Sequence, residues 1–180
     1  MLIVVKLRFV VMNIFTVSLF GHREINDLRS LDKQLTPIIR ALIQTKPYVS
    51  FLIGRYGEFD EYAASVIKCV RREIGRENSE ITLVLPYTVA DIEYYEKYYD
   101  NILIPENVYL AHPKSAITLN NRWMIEQSDI VIVYVERSRG GAYTAMKYAQ
   151  KLNKKIINLY AKESTFYLAG AKERNFKILI

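Results

Sequence analysis

Residues 129–160 read DIVIVYVERSRGGAYTAMKYAQKLNKKIINLY, and this stretch decides the fold. An apolar run over 129–135 predicts a strand, 141–152 has the apolar spacing of a helix, and 154–160 predicts another strand. Gly140 and Gly141 stand where the first strand turns into the helix. The turn therefore either has unusual backbone angles or lets another group approach the backbone closely.

The same alternation of strand and helix extends through most of the chain. From Leu28 to Leu42 apolar residues recur at spacings of three and four, which predicts a helical region. Pro37 interrupts this region and predicts either a kink or two helices, the second of them capped by Thr36. Because most strands are continuous apolar runs, the sheet should be mainly parallel and covered on both faces. We therefore predict an α/β protein with a Rossmann-like three-layer sandwich. The other predicted strands are 14–20, 48–53 and 80–86, and the other helices are 58–75, 89–100 and 117–127.

The length of 180 residues suits one domain with a sizeable core. Residues 1–11 are interpreted as an N-terminal extension and residues 12–180 as a single domain, whose tail over 166–180 is left open as the source of one more strand. The apolar stretch at the N-terminus contains Lys6 and Arg8, and no basic segment precedes it. We therefore predict neither a membrane anchor nor a signal peptide.

Cysteine, histidine and charge narrow the class of protein. A single cysteine, Cys69, excludes an intramolecular disulfide and a cysteine-based zinc site, and His22 and His112 are too far apart for ligand spacing. No metal or cofactor is predicted, and a cytoplasmic location fits. The net charge of +6 permits contact with a polyanion, but the basic residues are dispersed, so a nucleic-acid partner stays open and is not favoured. A homo-oligomer is left open as well.

Glycines and arginines mark the predicted strand ends. Ligands of open parallel sheets collect at the carboxyl ends of the strands, where glycine lets backbone N–H groups approach an anion and the following helix adds positive potential. Asp60 and Glu58 could bind a ribose hydroxyl or simply stabilise the start of their helix. The strand ends together predict a nucleotide-like anion site. They carry Gly21, Gly54, Gly57, Gly140 and Gly141, and the arginines Arg23, Arg55, Arg137 and Arg139.

Several well-known sites are absent from the sequence. There is no GxxxxGK[ST] phosphate loop, no GxSxG nucleophile turn, and no GxGxxG after the first strand, which argues against an ordinary dinucleotide dehydrogenase. The tyrosine pairs at 94–95 and 98–99 could form a stacking platform for bases, but their helical spacing favours ordinary packing.

Four segments together resemble a known family: SLFGHRE at 18–24, GRYGEFDEYAA at 54–64, RWMIEQSDIVIVYV at 122–135 and GGAYTAMKYAQKLNKKIINL at 140–159. In this order they look like the SLOG (SMF/DprA-LOG) superfamily, with a closer likeness to its YpsA-like branch of small bacterial proteins. The resemblance covers about residues 14–159. It implies a Rossmann-like fold that binds nucleotides or nucleotide-derived ligands, with the glycine pair in the phosphate-binding loop.

The chain departs from the hydrolases of that superfamily. LOG-type phosphoribohydrolases carry P-G-G-x-G-T-x-x-E, whereas Arg139 stands here at the proline and Lys147 at the catalytic glutamate. Asn120 occupies the position of their arginine, and Arg122 lies two residues away. A lysine cannot replace a catalytic carboxylate, because its charge and proton affinity are reversed. The resemblance therefore implies binding without this reaction.

The resulting prediction is a cytoplasmic nucleotide-binding protein of SLOG type, a ligand sensor or regulator without LOG-type hydrolysis. One alternative is a hydrolase or transferase acting on a nucleotide-derived ligand, with Asp60, Glu58 or His22 as acid or base. Another is DprA-like binding of single-stranded DNA. The predicted ligand-binding residues are Gly21, His22, Arg23, Gly54, Gly57, Asp60, Arg122, Arg139, Gly140, Gly141 and Thr144.

Overall fold

The computed structural model describes residues 13–75, 77–160, 166–168 and 171–172, the last two ranges by their backbone alone. The predicted extension over 1–11 lies outside the described residues. The strands are β1 (Ile14–Gly21), β2 (Tyr48–Ile53), β3 (Ser79–Val84), β4 (Asn101–Leu103), β5 (Ile130–Tyr134), β6 (Lys155–Asn158), β7 (Phe166–Leu168) and β8 (Ala171–Lys172). The helices are α1 (Leu28–Thr45), α2 (Glu58–Ile74), α3 (Ile92–Glu96), α4 (Glu106–Tyr109), α5 (Pro113–Gln127) and α6 (Gly141–Lys151).

The described strands form one sheet in the order β4-β3-β2-β1-β5-β6-β7-β8. The pairings from β4 to β6 are all parallel, whereas β7 is antiparallel to β6 and β8 is antiparallel to β7. The prediction of a mainly parallel sheet is therefore confirmed. The tail contributes two short strands rather than the single one left open by the sequence.

The pairing of β1 with β5 sets the position of the site. Asp129, just before β5, donates its backbone N–H to the Thr16 carbonyl oxygen (2.8 Å), and its Oδ2 accepts the Thr16 N–H (2.7 Å). The register runs from Val17 opposite Ile130 to Gly21 opposite Tyr134. Strands β2 to β4 extend from one side of β1 and β5 begins the other side, so the strand order reverses here. Connections diverge at such a reversal and leave a crevice at the carboxyl ends of the strands.

Two apolar cores lie on opposite faces of the sheet. Ile130 and Ile132 of β5 pack with the apolar residues of α1 and α2, whereas Val131 and Val133 pack with those of α5 and α6. Successive side chains of a strand point to opposite faces, so a strand with helices on both sides must be apolar at every position. The continuous apolar runs of the sequence have this origin, and the three-layer sandwich is confirmed.

Helix α1 corrects one prediction. It is a single helix that runs through Pro37, so the alternative of two helices is wrong. Its N-terminus is capped by Asp27, whose Oδ1 accepts the Ser30 N–H (2.9 Å), and Thr36 donates its hydroxyl to Asp32 Oδ1 instead of capping a new helix. Burial of the apolar face of α1 against the sheet compensates the hydrogen bond that proline cannot make.

The segment between β3 and β5 also differs from the prediction. Helix α3 is only five residues long, because the chain turns at Asp100 to place β4 beside β3. Asp100 Oδ2 accepts from the Ile81 N–H (2.7 Å) and from Arg71 Nη1 (2.6 Å). Helix α5 begins four residues before the predicted start, since Pro113 suits a first helical turn and His112 Nδ1 accepts the Lys114 N–H (3.2 Å).

Within the described ranges, no helix is both long and apolar enough to cross a membrane.

The start of α2 packs directly against the end of β1. Phe59 is fully buried, and its ring stacks on Tyr134 with centroids 6.2 Å apart. A Cβ atom at Gly21 would lie 2.0 Å from Phe59 Cγ, well inside van der Waals contact. The end of β1 therefore requires glycine because the Phe59 ring occupies the place of a side chain.

We predict that Gly21→Ala lowers the free energy of unfolding by roughly 1–3 kcal/mol, because the core must shift to admit the methyl group. Gly141→Ala is the matched control, since a Cβ there meets no described atom within 4 Å. Chemical denaturation of both variants measures the difference. Equal stability of Gly21→Ala and the wild type would contradict the assigned role of Gly21.

Candidate functional site

A cleft of about 540 Å³ opens at the carboxyl edge of the sheet, where the strand order reverses. Its walls come from the ends of β1 and β2, from α5, and from the loop between β5 and α6. The edge predicted from the strand-end residues is therefore the edge at which the cleft forms. It brings together the predicted residues Gly21, His22, Arg23, Gly54, Asp60, Arg139, Gly140 and Gly141.

Helix α6 begins at the wall of this cleft. Gly140 is its N-cap with a φ of 91°, in the left-handed region that favours glycine, and no side chain caps the helix. The first N–H groups of a helix have no partner inside it and carry the positive end of the helix dipole. Thr144 donates its hydroxyl to the Gly140 carbonyl oxygen (3.1 Å) and so holds the turn. This end of the cleft can bind an anion through the backbone alone.

The strand-end glycines differ in what surrounds them. A Cβ at Gly57 would lie 2.6 Å from Arg23 Cα, and a Cβ at Gly54 would lie 3.1 Å from Asp60 Oδ2. Both glycines allow parts of the protein to approach each other. Around Gly140 and Gly141 no described atom lies within 4 Å of such a Cβ, so the open space there is available to a ligand.

Three exposed arginines line the cleft: Arg23 after β1, and Arg137 and Arg139 before α6. None of their guanidinium groups forms an ion pair with a residue in the described part of the chain. Guanidinium groups bind phosphate in a bidentate geometry, and unpaired ones need not break an existing contact to do so. The arginines therefore add positive charge to that of the α6 dipole.

His22 joins the two strands that border the cleft. Its Nε2 accepts the backbone N–H groups of Glu136 and Arg137, each at 3.1 Å. Burial, together with the Arg137 charge, lowers the pKa of His22, so the ring is neutral at pH 7. An Nε2 atom engaged by two backbone donors is not free to take a proton from a ligand, and the ring acts first as a link between the β1 and β5 loops.

The two candidate carboxylates have different environments. Asp60 lines the cleft, its Oδ2 accepts the Tyr56 N–H (2.8 Å), and burial raises its pKa to about 6. Glu58 does not line the cleft, since its Oε2 accepts the Ile25 N–H (2.9 Å) and its own N–H donates to the Arg23 carbonyl oxygen (2.9 Å). Glu58 therefore holds the loop after β1, and Asp60 is the one of the two that faces the cleft.

Arg122 and Thr144 line a second groove, which adjoins the cleft along α5 and α6 and has a volume of about 590 Å³. The Arg122 guanidinium lies over the Tyr148 ring, 5.1 Å from its centroid. Lys147 lines the same groove. Gly141 and Asn121 border both cavities, so the predicted phosphate residues are divided between neighbouring sites.

Some cleft residues are not among the predicted ligand-binding residues, although the sequence marks Arg137 as a strand-end arginine. Arg137, Tyr56 and Asn121 line the cleft, and so does Asn120, which is 2% exposed. Arg137 could have been included, because it lies at the same strand end as Arg139. Asn120 carried only the weaker signal of its correspondence to the arginine of the LOG-type hydrolases. Its position in the cleft depends on how α5 crosses the sheet.

No family model and no curated protein matches the chain. Solved structures similar to it include two DNA processing proteins. DNA processing protein A (DprA) from Streptococcus pneumoniae matches with a TM-score of 0.59 and 16% identity over 79% of this chain and 49% of that chain. The second is DNA processing protein A from Helicobacter pylori, whose structure was reported for its single-stranded DNA binding mode. It matches with a TM-score of 0.55 and 17% identity over 79% of this chain and 63% of that chain.

The chain thus spans about half of the first DprA chain and somewhat under two thirds of the second. At these identities the likeness establishes a common fold. The Rossmann-like α/β sandwich predicted from the sequence is the fold shared with DprA.

Proposed function

We propose that the cleft binds a nucleotide or nucleotide derivative through its phosphate, and that the protein is a cytoplasmic sensor or regulator of SLOG type, close to the YpsA-like branch. The observation that carries the proposal is the turn at Gly140 and Gly141. There the uncapped N-terminus of α6 faces open space, and the unpaired guanidinium groups of Arg137 and Arg139 lie on the same loop. This combination is the usual chemistry of phosphate recognition.

The size and composition of the cleft support a small ligand. Its volume of about 540 Å³ lies in the range of small-molecule sites. Arg137 and Arg139 lie before α6 and Arg23 lies after β1, whereas Asn120 and Asn121 of α5 offer neutral amides. A ligand with an anionic end and an uncharged polar part suits such a lining. LOG-type hydrolysis is not proposed, because Lys147 has no carboxylate and lines the neighbouring groove.

Arginine substitution tests the phosphate site. Arg139→Ala and Arg72→Ala remove the same charge, but only Arg139 lines the cleft. We expect AMP, ADP-ribose, NAD or a cyclic dinucleotide to raise the melting temperature of the wild type. Arg139→Ala should weaken binding about tenfold, because a charged hydrogen bond to the phosphate is lost. The control Arg72→Ala should change the affinity less than about twofold. Calorimetry gives the affinities, and the absence of binding by all four ligands would contradict the proposal.

The pKa of Asp60 predicts a pH dependence. Because burial raises this pKa to about 6, Asp60 is negative at pH 8 and mostly neutral at pH 5. ADP-ribose keeps a constant charge over this range, so its affinity should rise as pH falls through 6, by roughly tenfold for one charge near the phosphate. Protonation of His22, whose pKa is lowered, would add to the effect only at the acidic end.

Titration calorimetry from pH 8 to pH 5 measures this dependence, with Asp60→Asn as the control. The amide cannot titrate, so the variant should bind with a nearly constant affinity close to that of the wild type at pH 5. An affinity that falls as Asp60 is protonated would contradict this account and identify Asp60 as an acceptor for a ribose hydroxyl.

A second candidate function is the binding of single-stranded DNA. DNA processing protein A from Helicobacter pylori binds single-stranded DNA. In the present chain Tyr94 and Tyr98 are 55% and 48% exposed, with ring centroids 4.7 Å apart, and Lys68 Nζ lies 4.8 Å from the Tyr98 centroid. Exposed aromatic rings beside a cation are suited to stacking with bases.

The tyrosine cluster divides into two pairs. Tyr95 and Tyr99 pack against the core, in line with the packing interpretation, whereas Tyr94 and Tyr98 face solvent. Arg55 Nη1 donates to the Tyr95 hydroxyl (2.9 Å) and its guanidinium also lies beside Tyr56 of the cleft wall. These residues form a polar and aromatic path from the cleft to the exposed pair.

Replacement of the exposed pair tests this path. The double substitution Tyr94→Leu and Tyr98→Leu should weaken binding of a fluorescent oligothymidylate at least about fivefold, because stacking on two rings is lost. Tyr109→Leu, at a ring that is 65% exposed on α4, is the matched control. Fluorescence anisotropy at low and moderate salt measures the affinities. No binding by the wild type at low salt excludes this candidate, and loss only in Arg139→Ala would assign the oligonucleotide to the cleft.

A further inference from the structure

One residue of the cleft wall carries a buried polar atom without a partner. Asn120 lies on α5, lines the cleft and is 2% exposed. Its Oδ1 accepts no hydrogen bond from any residue in the described ranges. Nearly all buried carbonyl oxygens in folded proteins are hydrogen-bonded, because an unpaired one has lost its bonds to water and gained none. An unpaired oxygen on a residue that lines a ligand-sized cleft points to a ligand group.

The orientation of this amide is determined by its other atom. Asn120 Nδ2 donates to the Val84 carbonyl oxygen (3.1 Å) and also lies 3.8 Å from Met124 Sδ. A carbonyl oxygen can only accept, so rotation of the amide by 180° would bring two oxygens together. Oδ1 is therefore an acceptor, and it can be satisfied only by an N–H or O–H group.

Asn120 and the glycine pair lie at different parts of the cleft wall. The Asn120 amide bonds to Val84, the last residue of β3, whereas Gly140 and Gly141 follow β5. Strands β2 and β1 lie between β3 and β5. A ligand that reached both places would present an anion to α6 and a neutral donor to Asn120. A second phosphate would not suit the Asn120 end, because two acceptors repel each other.

We propose that Asn120 Oδ1 accepts a hydrogen bond from the uncharged part of the ligand and so selects nucleotides by a donor group, either the exocyclic amine of the base or a sugar hydroxyl. This inference rests on the proposed function, because the phosphate at α6 positions the ligand. It defines the ligand class more narrowly: a compound with phosphate alone leaves Oδ1 unpaired.

The test compares AMP with three analogues, each of which lacks one donor: purine riboside 5′-monophosphate without the amine, and 2′-deoxy- and 3′-deoxy-AMP without one hydroxyl. Calorimetry measures the wild type, Asn120→Leu and the control Gln127→Leu, which removes an exposed amide from the same helix. The wild type should bind one analogue about tenfold more weakly than AMP. Asn120→Leu should bind AMP about tenfold more weakly and no longer distinguish that analogue, and Gln127→Leu should behave as the wild type.

Each other outcome overturns the inference. Equal affinity of the wild type for AMP and all three analogues refutes the role of Asn120 and leaves the phosphate site intact. A preference that persists in Asn120→Leu assigns the donor to another acceptor. If AMP, ADP-ribose, NAD and cyclic dinucleotides all fail to bind the wild type, the proposed function fails and this inference fails with it. If Asn120→Leu does not fold, Asn120→Ala takes its place in the comparison, and equal affinity of the wild type for AMP and its analogues still refutes the inference without any variant.

Discussion

The parallel pairing of β1 with β5 is the constraint on which the rest of the molecule depends. The paired hydrogen bonds between Asp129 and Thr16 hold the register at the beginning of both strands. Since β2 to β4 extend from the other side of β1, the chain must cross the sheet before β5, and α5 makes the crossing. The helices that follow β1 and β5 therefore pack on opposite faces of the sheet, and the cleft opens at the strand ends where they separate.

Glycines serve two physical purposes at this edge. Gly21 is required by packing, because the Phe59 ring fills the space that a side chain would take. Gly140 has a positive φ, which residues with a side chain disfavour. A Cβ atom added at Gly140 would have no described atom within 4 Å. A glycine at a strand end is thus not by itself a sign of a ligand. At Gly21 the protein itself fills the space of a side chain, whereas at Gly140 that space is open.

Much of the candidate site could be predicted from the sequence, because parallel strands bring their carboxyl ends to one edge. His22, Arg23 and Asp60 lie in the cleft beside the glycine pair, as expected of residues at strand ends. Glu58 was also expected near the ligand, yet its carboxylate holds a backbone N–H of the β1 loop. Residues two apart at the start of a helix point in different directions, and only the surrounding chain decides which of them meets the cleft.

The layers of the fold and the edge of the sheet at which the cleft opens follow from local features of the sequence. A strand buried on both faces must be apolar throughout, and this local requirement can be read from a short window such as residues 129–135. The tertiary structure alone decided that Asn120 lies in the cleft with its Oδ1 unpaired and that Arg122 lines a neighbouring groove. The physical reason is that a hydrogen bond or a cavity wall joins segments distant in sequence, such as α5 and the end of β3, and no local pattern encodes their meeting.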